Sequence, residues 1–403
     1  MVFVALAPAA RAQPSVQRLG LTEELRIPVK LPGGTRDILV AVGPDGRVVA
    51  APRYARGEVI GFDSAGRALP WKIPTGRGDD AEVMWPSRIG WIAGVSTMWI
   101  ADAGYEQVAL VDAVGTVVKS VERPSWVHPT WAERRKYPVF GSMEAFAVYA
   151  DESMLIMPSR DRSLLSTPSF DRSRPHLMRA SFGGSIQRSI AALPQTRNSL
   201  ALRAKGCAYT ITIPFAARTY WAVSNDGSRV IIVTPGTDSG TVRVVSIAES
   251  GDTVFSRLVP QPVTRIAPAT IQNFLAGVRS CGTFSAEEIR DSLAGRMPAF
   301  AWYVTGVMPG RDRTTWIVMR AASDMSSERT AIVLDDRGET IGAVTLPANE
   351  TLVGGDRWHA WTIVPGGVRA PSAIVRYRLA PTRAQPPRSA RAGGRTSTPR
   401  PPA

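Results

Sequence analysis

The chain has 403 residues, among them 48 lysines and arginines against 34 aspartates and glutamates, and a formal charge of +14. No apolar run approaches the ~20 residues a membrane-spanning helix needs, which excludes a transmembrane helix, while the 35 glycines and 32 prolines suit a fold of tight turns. A chain of this length can bury a large core as one closed β-architecture.

Met1 to Gln13 combines a short apolar stretch with Ala10-Arg11-Ala12, the pattern of a signal-peptide end with small residues at the cleavage positions. Residues 1–12 are therefore expected to be a signal remnant, and the mature protein to be periplasmic or secreted. Leu21 to Val29 is a strand candidate with no partner nearby. Between Gly43 and Val121 the chain repeats itself. Asp63-Ser64-Ala65-Gly66 lies over Asp112-Ala113-Val114-Gly115, and Arg47-Val48-Val49-Ala50-Ala51 over Thr97-Met98-Trp99-Ile100-Ala101. The repeat of about 49 residues holds four short β-patterns and fits a propeller blade, which cannot bury its own faces and stacks on its neighbours.

Blade one is expected at Asp37 to Val42, Arg47 to Ala51, Glu58 to Phe62 and Arg67 to Ile73, with Pro44-Asp45-Gly46 as its first turn. Blade two is expected at Arg88 to Ile92, Thr97 to Ala101, Gln107 to Val111 and Thr116 to Val121. The Asp-x-x-Gly turns at Asp63 and Asp112 recur at Asp335 to Gly338. Arg77-Gly78-Asp79, an integrin-type tripeptide, falls in the loop between the two blades and reads as a connection. Blade three is placed at Met143 to Tyr149, Ser153 to Met157, His176 to Ser181 and Ser185 to Ala191, and blade four at Arg218 to Val223, Arg229 to Val233, Thr241 to Ile247 and Thr253 to Leu258.

The period then changes. Ile266 to Val278 has helical spacing and Ser285-Ala286-Glu287-Glu288 is a capping box, so 263–298 is expected to be a helical insert. Blade five follows at Phe300 to Val307, Thr315 to Met319, Ala331 to Leu334 and Glu339 to Leu346. Only three strands remain, Glu350 to Val353, Trp358 to Val364 and Ala373 to Leu379, and the strand at Leu21 to Val29 is expected to complete this last blade and remove the open sheet edges. Thr382 to Ala403 has five arginines and no acid; it is expected to be a disordered basic tail, either solvated or tethered to a polyanion. Cys207 and Cys281 lie in segments with no regular pattern. They are a disulfide candidate or two buried thiols, and their spacing fits no metal site.

Asp45-Gly46-Arg47-Val48-Val49, then Trp99-Ile100-Ala101-Asp102, then Val108 to Asp112 with its following glycine, resemble the NHL-repeat and TolB-like group of β-propellers, and the finish Ile374-Val375-Arg376-Tyr377-Arg378-Leu379 is similar to the exported bacterial branch of that group. The resemblance spans Leu21 to Pro381. It implies an all-β, six-bladed β-propeller of four-stranded antiparallel blades over residues 21–381, on a scaffold that hosts binding modules and enzymes alike.

Chemistry is sparse. His128, His176 and His359 stand in separate segments without a second ligand at metal-site spacing, and neither a nucleophile elbow nor a phosphate-cradling loop is present. No cofactor is expected. Asp102, Asn225, Asp356 and Glu144 would have to converge for a metal-dependent, lactonase-like hydrolase, the second reading. Trp99 and Trp316 read as packing between blades. Trp126, Trp131 and Tyr137, among Arg123, Arg134, Arg135 and Lys136, read as a lid or a sugar-stacking loop. The leading reading is an exported, monomeric binding or scaffold protein. Arg53, Asp102, Arg160 and Arg320 follow second strands and would circle a channel mouth that takes an anionic glycan, a lipid headgroup or an envelope protein. Nucleic acid is not an expected partner.

Overall fold

The computed structural model describes residues 16–30, 37–78, 81–122, 145–157, 175–194, 198–204, 207–320, 328–366 and 371–382, with backbone alone at 203–204 and 207–209. The segment expected as a signal remnant, residues 383–403, Arg160, Glu144, His128 and the aromatic segment 123–137 lie outside the described residues.

The protein is all-β and propeller-like. Strand β1 (Arg18–Val29) is followed by three four-stranded antiparallel sheets in simple up-and-down order. These are β2 (Ile38–Val42), β3 (Val48–Pro52), β4 (Gly57–Phe62) and β5 (Ala68–Thr75); β6 (Pro86–Trp91), β7 (Met98–Asp102), β8 (Gln107–Val111) and β9 (Val117–Glu122); and β10 (Ala145–Tyr149), β11 (Ser153–Ile156), β12 (His176–Ser181) and β13 (Ile186–Ala192). A hairpin of β14 (Ser199–Ala204) and β15 (Cys207–Thr212) precedes the fourth such sheet, β16 (Tyr220–Val223), β17 (Arg229–Pro235), β18 (Thr241–Ala248) and β19 (Thr253–Pro260). Helices α1 (Pro268–Ala276) and α2 (Ala286–Ala294) come next. The chain ends in β20 (Val304–Pro309), β21 (Thr315–Arg320), β22 (Arg329–Leu334), β23 (Thr340–Leu346), β24 (Thr351–Gly355), β25 (His359–Val364) and β26 (Ser372–Pro381).

These last strands and β1 form one eight-stranded sheet in the order β20-β21-β22-β23-β1-β26-β25-β24. Strand β1 pairs antiparallel with β26 from Leu19 opposite Pro381 to Val29 opposite Ser372, and parallel with β23 at Arg18 and Leu19 only. The orphan strand near the N-terminus therefore finds its partner in the last strand of the chain.

The turns form for the reasons their residues suggest. Gly46, Gly66, Gly115 and Gly338 have φ between 80° and 85°, a left-handed conformation cheap only for glycine. Asp63 Oδ1 accepts the N–H groups of Ala65 and Arg67, both at 2.9 Å, and Asp112 and Asp335 do the same in their turns. In α2, Ser285 Oγ accepts the Glu288 N–H at 3.1 Å and the Glu288 carboxylate accepts the Ser285 N–H at 2.8 Å. These bonds hold the Glu288 carboxyl below its ordinary range.

Each sheet is apolar on both faces because each packs between two others. Alternate residues of one strand go to opposite cores: Met98 and Ile100 of β7 join Ala41, Val49 and Ile73, whereas Trp99 and Ala101 join Val148, Met154 and Met178. Further cores join β10–β13 to β16–β19, β16–β19 to β20–β23, β20–β23 to β24–β26, and β24–β26 with β1 to β2–β5. Trp99, Trp316 and Trp361 are all but fully buried, and removing any of these rings costs about 3–5 kcal/mol.

A satellite core sits apart. Leu200, Leu202, Ile211 and Ile213 of the β14–β15 hairpin and its exit pack on Val278, Ile289 and Leu293 of the helical segment. This corrects the reading of Cys207 as part of an irregular segment, since it opens β15; Cys281 forms an isolated bridge with Phe284. Cys281 is disulfide-bonded, and the Cys207 side chain lies outside the described residues.

Candidate functional site

An up-and-down meander sends its connections to two ends. First-to-second and third-to-fourth strand turns lie at one end, the turn end. Second-to-third strand loops and all passages between sheets lie at the other, the loop end. Strand β3 finishes at the loop end in Arg53 and Tyr54, and β7 finishes there in Asp102, followed by Ala103, Gly104 and Tyr105.

Asp102 is fully buried, yet its carboxylate is saturated with donors. Oδ2 accepts the Met84 N–H at 2.7 Å, and Oδ1 accepts those of Gly104 at 2.8 Å, Trp85 at 2.9 Å and Tyr105 at 3.4 Å. Bonds from backbone amides to an ionised carboxylate are about twice as strong as neutral ones, so one side chain clamps the strand-entry segment 84–85 to the loop 104–105. Gly104 permits the approach, because a Cβ there would come within 2.5 Å of the Met84 side chain.

The clamp displays aromatic rings. Tyr54 is 50% exposed, Tyr105 41% and Trp85 37%. Tyr54 holds a φ of 49°, an uncommon conformation for a bulky residue, and its N–H donates to the Pro86 carbonyl at 2.9 Å. Arginines attend the rings: the Arg53 guanidinium lies 5.3 Å from the Tyr54 ring centre and Arg77 lies 5.7 Å from that of Trp85. Arg56 Nη2 donates to the Arg77 carbonyl at 2.9 Å and props the turn that carries it. Arg53 Nη1 is 3.6 Å from Asp37, a carboxylate 68% exposed, a pair that contributes little at such a surface. The result is a shallow surface of three half-exposed rings and two guanidinium groups, with Asp102 as its fastener.

Arg53 and Asp102 do not hold equivalent places, which corrects the expectation that both follow their second strands into one circle. Arg53 N–H donates to the Asp37 carbonyl and Arg320 N–H to that of Tyr303. In the second sheet the matching bond runs from Ala103 to Trp85. Ala50 faces Ile60 while Ile100 faces Ala109, so the loop after β3 is one residue longer and the register slips there. Arg320 joins neither the aromatic rings nor Arg53 in any contact among the described residues. It lines a different cleft, while Arg160 falls outside the description.

The hydrolase set does not assemble. Asp102 is at the loop end, whereas Asn225 and Asp356 sit in first-to-second strand turns at the opposite end, and Glu144 lies outside the described residues. Asp356 is 3% exposed. It accepts the Trp358 and His359 N–H groups at 2.7 Å and binds Arg311 Nε at 2.6 Å. Burial pushes its carboxyl up, but the Trp358 amide and the Arg311 charge outweigh that and hold it below the ordinary range. Arg311 Nη1 reaches on to the carbonyls of Gly43 and Pro44 and so ties three hairpins around a small recess of about 30 Å³ lined by Val42, Trp91, Asn225 and Gly355. No group of three or more metal-ligating side chains exists among the described residues. His359 lies between Asp356 and Glu24, and His176 faces Ser189 Oγ at 3.2 Å. Arg77 and Gly78 of the integrin-type tripeptide are part of the loop-end surface; Asp79 is outside the description. No helix of the described residues is long and apolar enough to cross a membrane.

Tyr54, Trp85 and Tyr105 were not foreseen. The available signal was that Tyr54 follows Arg53, and Tyr105 follows Gly104, in matching loops of the repeat.

No family model matches the chain, and no curated protein matches it. Among solved structures it is similar to a member of the DUF4221 family from Bacteroides vulgatus (11% identity, TM-score 0.48, 90% of this chain and 99% of that one). It is also similar to virginiamycin B lyase from Staphylococcus aureus (11% identity, TM-score 0.42, 90% and 100%) and to a calcium-binding regucalcin from Agrobacterium tumefaciens (13% identity, TM-score 0.38, 92% and 98%).

Proposed function

We propose that the protein is an exported, monomeric six-bladed propeller of the NHL and TolB-like kind that binds an acidic glycan on its loop end, between the first two blades. The blade count is supported by six apolar cores that join successive sheet units and return from β24–β26 and β1 to β2–β5. The eight-stranded sheet is then two blades bridged by the two parallel pairs of β1. In this reading residues 1–12 are a signal remnant, 21–381 the propeller with its insert at 263–298, and 382–403 a basic tail; the bond partner of Cys281 is Cys207.

The observation that carries the glycan reading is the Asp102 clamp, which uses four backbone amides to keep Trp85 and Tyr105 at the surface, Trp85 with Arg77 beside its ring. Sugar rings stack on aromatic faces by their C–H surfaces, and guanidinium forks pair with uronate or sulfate groups. No catalytic role is assigned to the surface.

The test is binding of full-length protein to a polyuronate, a neutral glucan and anionic vesicles across a salt series. We expect salt-sensitive polyuronate binding, weakened at least tenfold (about 1.4 kcal/mol) in Trp85→Ala and in Asp102→Ala, and unchanged in Trp358→Ala, whose exposed ring is at the turn end. Equal binding by Trp85→Ala, or binding to vesicles alone, would overturn the reading.

A further inference from the structure

Arg320 on β21 and Arg329 on β22 stand directly opposite each other, and like charges so placed repel. Both line a cleft of about 440 Å³ at the loop end, between Thr305–Met308 of β20 and Asn349, Thr351 and Leu352 at the start of β24. Arg320 is held firmly. Its Nη2 donates to the Trp302 carbonyl at 2.9 Å, and its guanidinium lies 4.8 Å from the Phe215 ring centre and 5.7 Å from that of Tyr303. This contact uses one edge of the fork and leaves Nε and Nη1 without a hydrogen bond among the described residues.

The Arg329 side chain makes no hydrogen bond or ion pair among the described residues. Glu328 lines the same cleft and has a partner of its own. Two adjacent guanidinium groups, one pre-oriented and one with no partner among the described residues, face a cavity large enough for a small molecule, with Asn349 exposed at its lip.

We infer that this cleft binds a small oxyanion, a carboxylate or phosphate group bridging Arg320 and Arg329. The oxygens of either group can accept from both forks at once, which converts a repulsive pair into two charge-assisted hydrogen-bonded pairs. The site shares its end of the molecule with the aromatic surface but no residue with it, and it stands without the glycan reading.

The experiment is calorimetric titration of the full chain with inorganic phosphate and with succinate, at ionic strength matched by chloride and in the absence of polysaccharide. Melting curves are recorded in parallel. Saturable binding is expected; saturation by phosphate alone assigns a phosphoryl ligand and by succinate alone a carboxylate. Arg329→Gln should weaken binding at least tenfold while raising the melting temperature of the anion-free protein, because the repulsion is gone. Arg329→Lys keeps the charge but loses the fork; it should bind weakly without that rise. Failure of both anions to saturate the wild type, or wild-type affinity in Arg329→Gln, overturns the inference.

Discussion

The two ends of the molecule use polar side chains in opposite ways. At the turn end, Asp63, Asp112, Asp335 and Asp356 bond the backbone of their own turns, and Arg311 spends its guanidinium on Asp356 and two carbonyls. The connections there are short, and their charges are satisfied internally. At the loop end a single aspartate fastens two segments, and Trp85 and Tyr105 on them are displayed beside Arg53 and Arg77, while Arg329 has no counter-charge among the described residues. The same strand order supports both ends. A charge satisfied inside a turn stabilises the fold, whereas a charge or ring held out at a cost in exposure is available for a ligand.

Deleting residues 16–29 attacks what both ends share and should have the largest effect. Strand β26 then loses its antiparallel partner along ten paired positions; the bare edge should drive aggregation, read as loss of the monomer peak in gel filtration. A monomeric truncation with unchanged melting would contradict the seam.

Replacing Asp356 with asparagine acts on the turn end alone. It leaves Arg311 without its counter-charge, at a cost of about 3 kcal/mol, while polyuronate binding by the folded fraction should persist. The acid limb follows with a definite sign. The folded Asp356 carboxyl lies below its ordinary value, so its contribution is fully present above the unfolded pKa and is lost as pH falls through the lower folded value. Urea denaturation at successive pH values should therefore show wild type and Asp356→Asn converging only on the acid side of the ordinary carboxylate range. Loss of binding in a folded Asp356→Asn would erase the division between the ends.

The smallest effect belongs to the satellite core. With Cys207 and Cys281 joined, non-reduced peptide maps should show them linked, and the double serine variant should lose about 2 kcal/mol with glycan binding intact. Both thiols recovered free would refute the pairing.

Much of the scaffold was legible because the sequence writes its turns locally. Pro44-Asp45-Gly46, the Asp-x-x-Gly turns and the Ser285 capping box each specify their geometry within four residues, and the strands they delimit follow by alternation. The β14–β15 hairpin was not recognised, although Leu200, Leu202, Ile211 and Ile213 alternate as a buried strand face should; its partner lies in helices some seventy residues on, which no local rule connects. The sites were harder still. Asp102 was singled out, but as a ligand group, because sequence shows an acid and not the four amides that surround it. The slip between Arg53 and Asp102 turns on one extra loop residue, and the opposition of Arg320 and Arg329 on the register of a hairpin whose connection, 321–327, has no glycine or proline to set a turn type.

The pairing of β1 with β26 also dictates when the molecule can be finished. Leu19 lies opposite Pro381, so the closing contacts join nearly the two limits of the described chain, while every other sheet pairs strands close in sequence. Contacts so distant are entropically costly to bring together and form slowly. Each local meander can settle as it emerges from a ribosome or a translocation pore, but ring closure must wait for the last strand. Until then β1 is a waiting edge, and the most vulnerable moment of the protein's life is the interval between its first strand and its last.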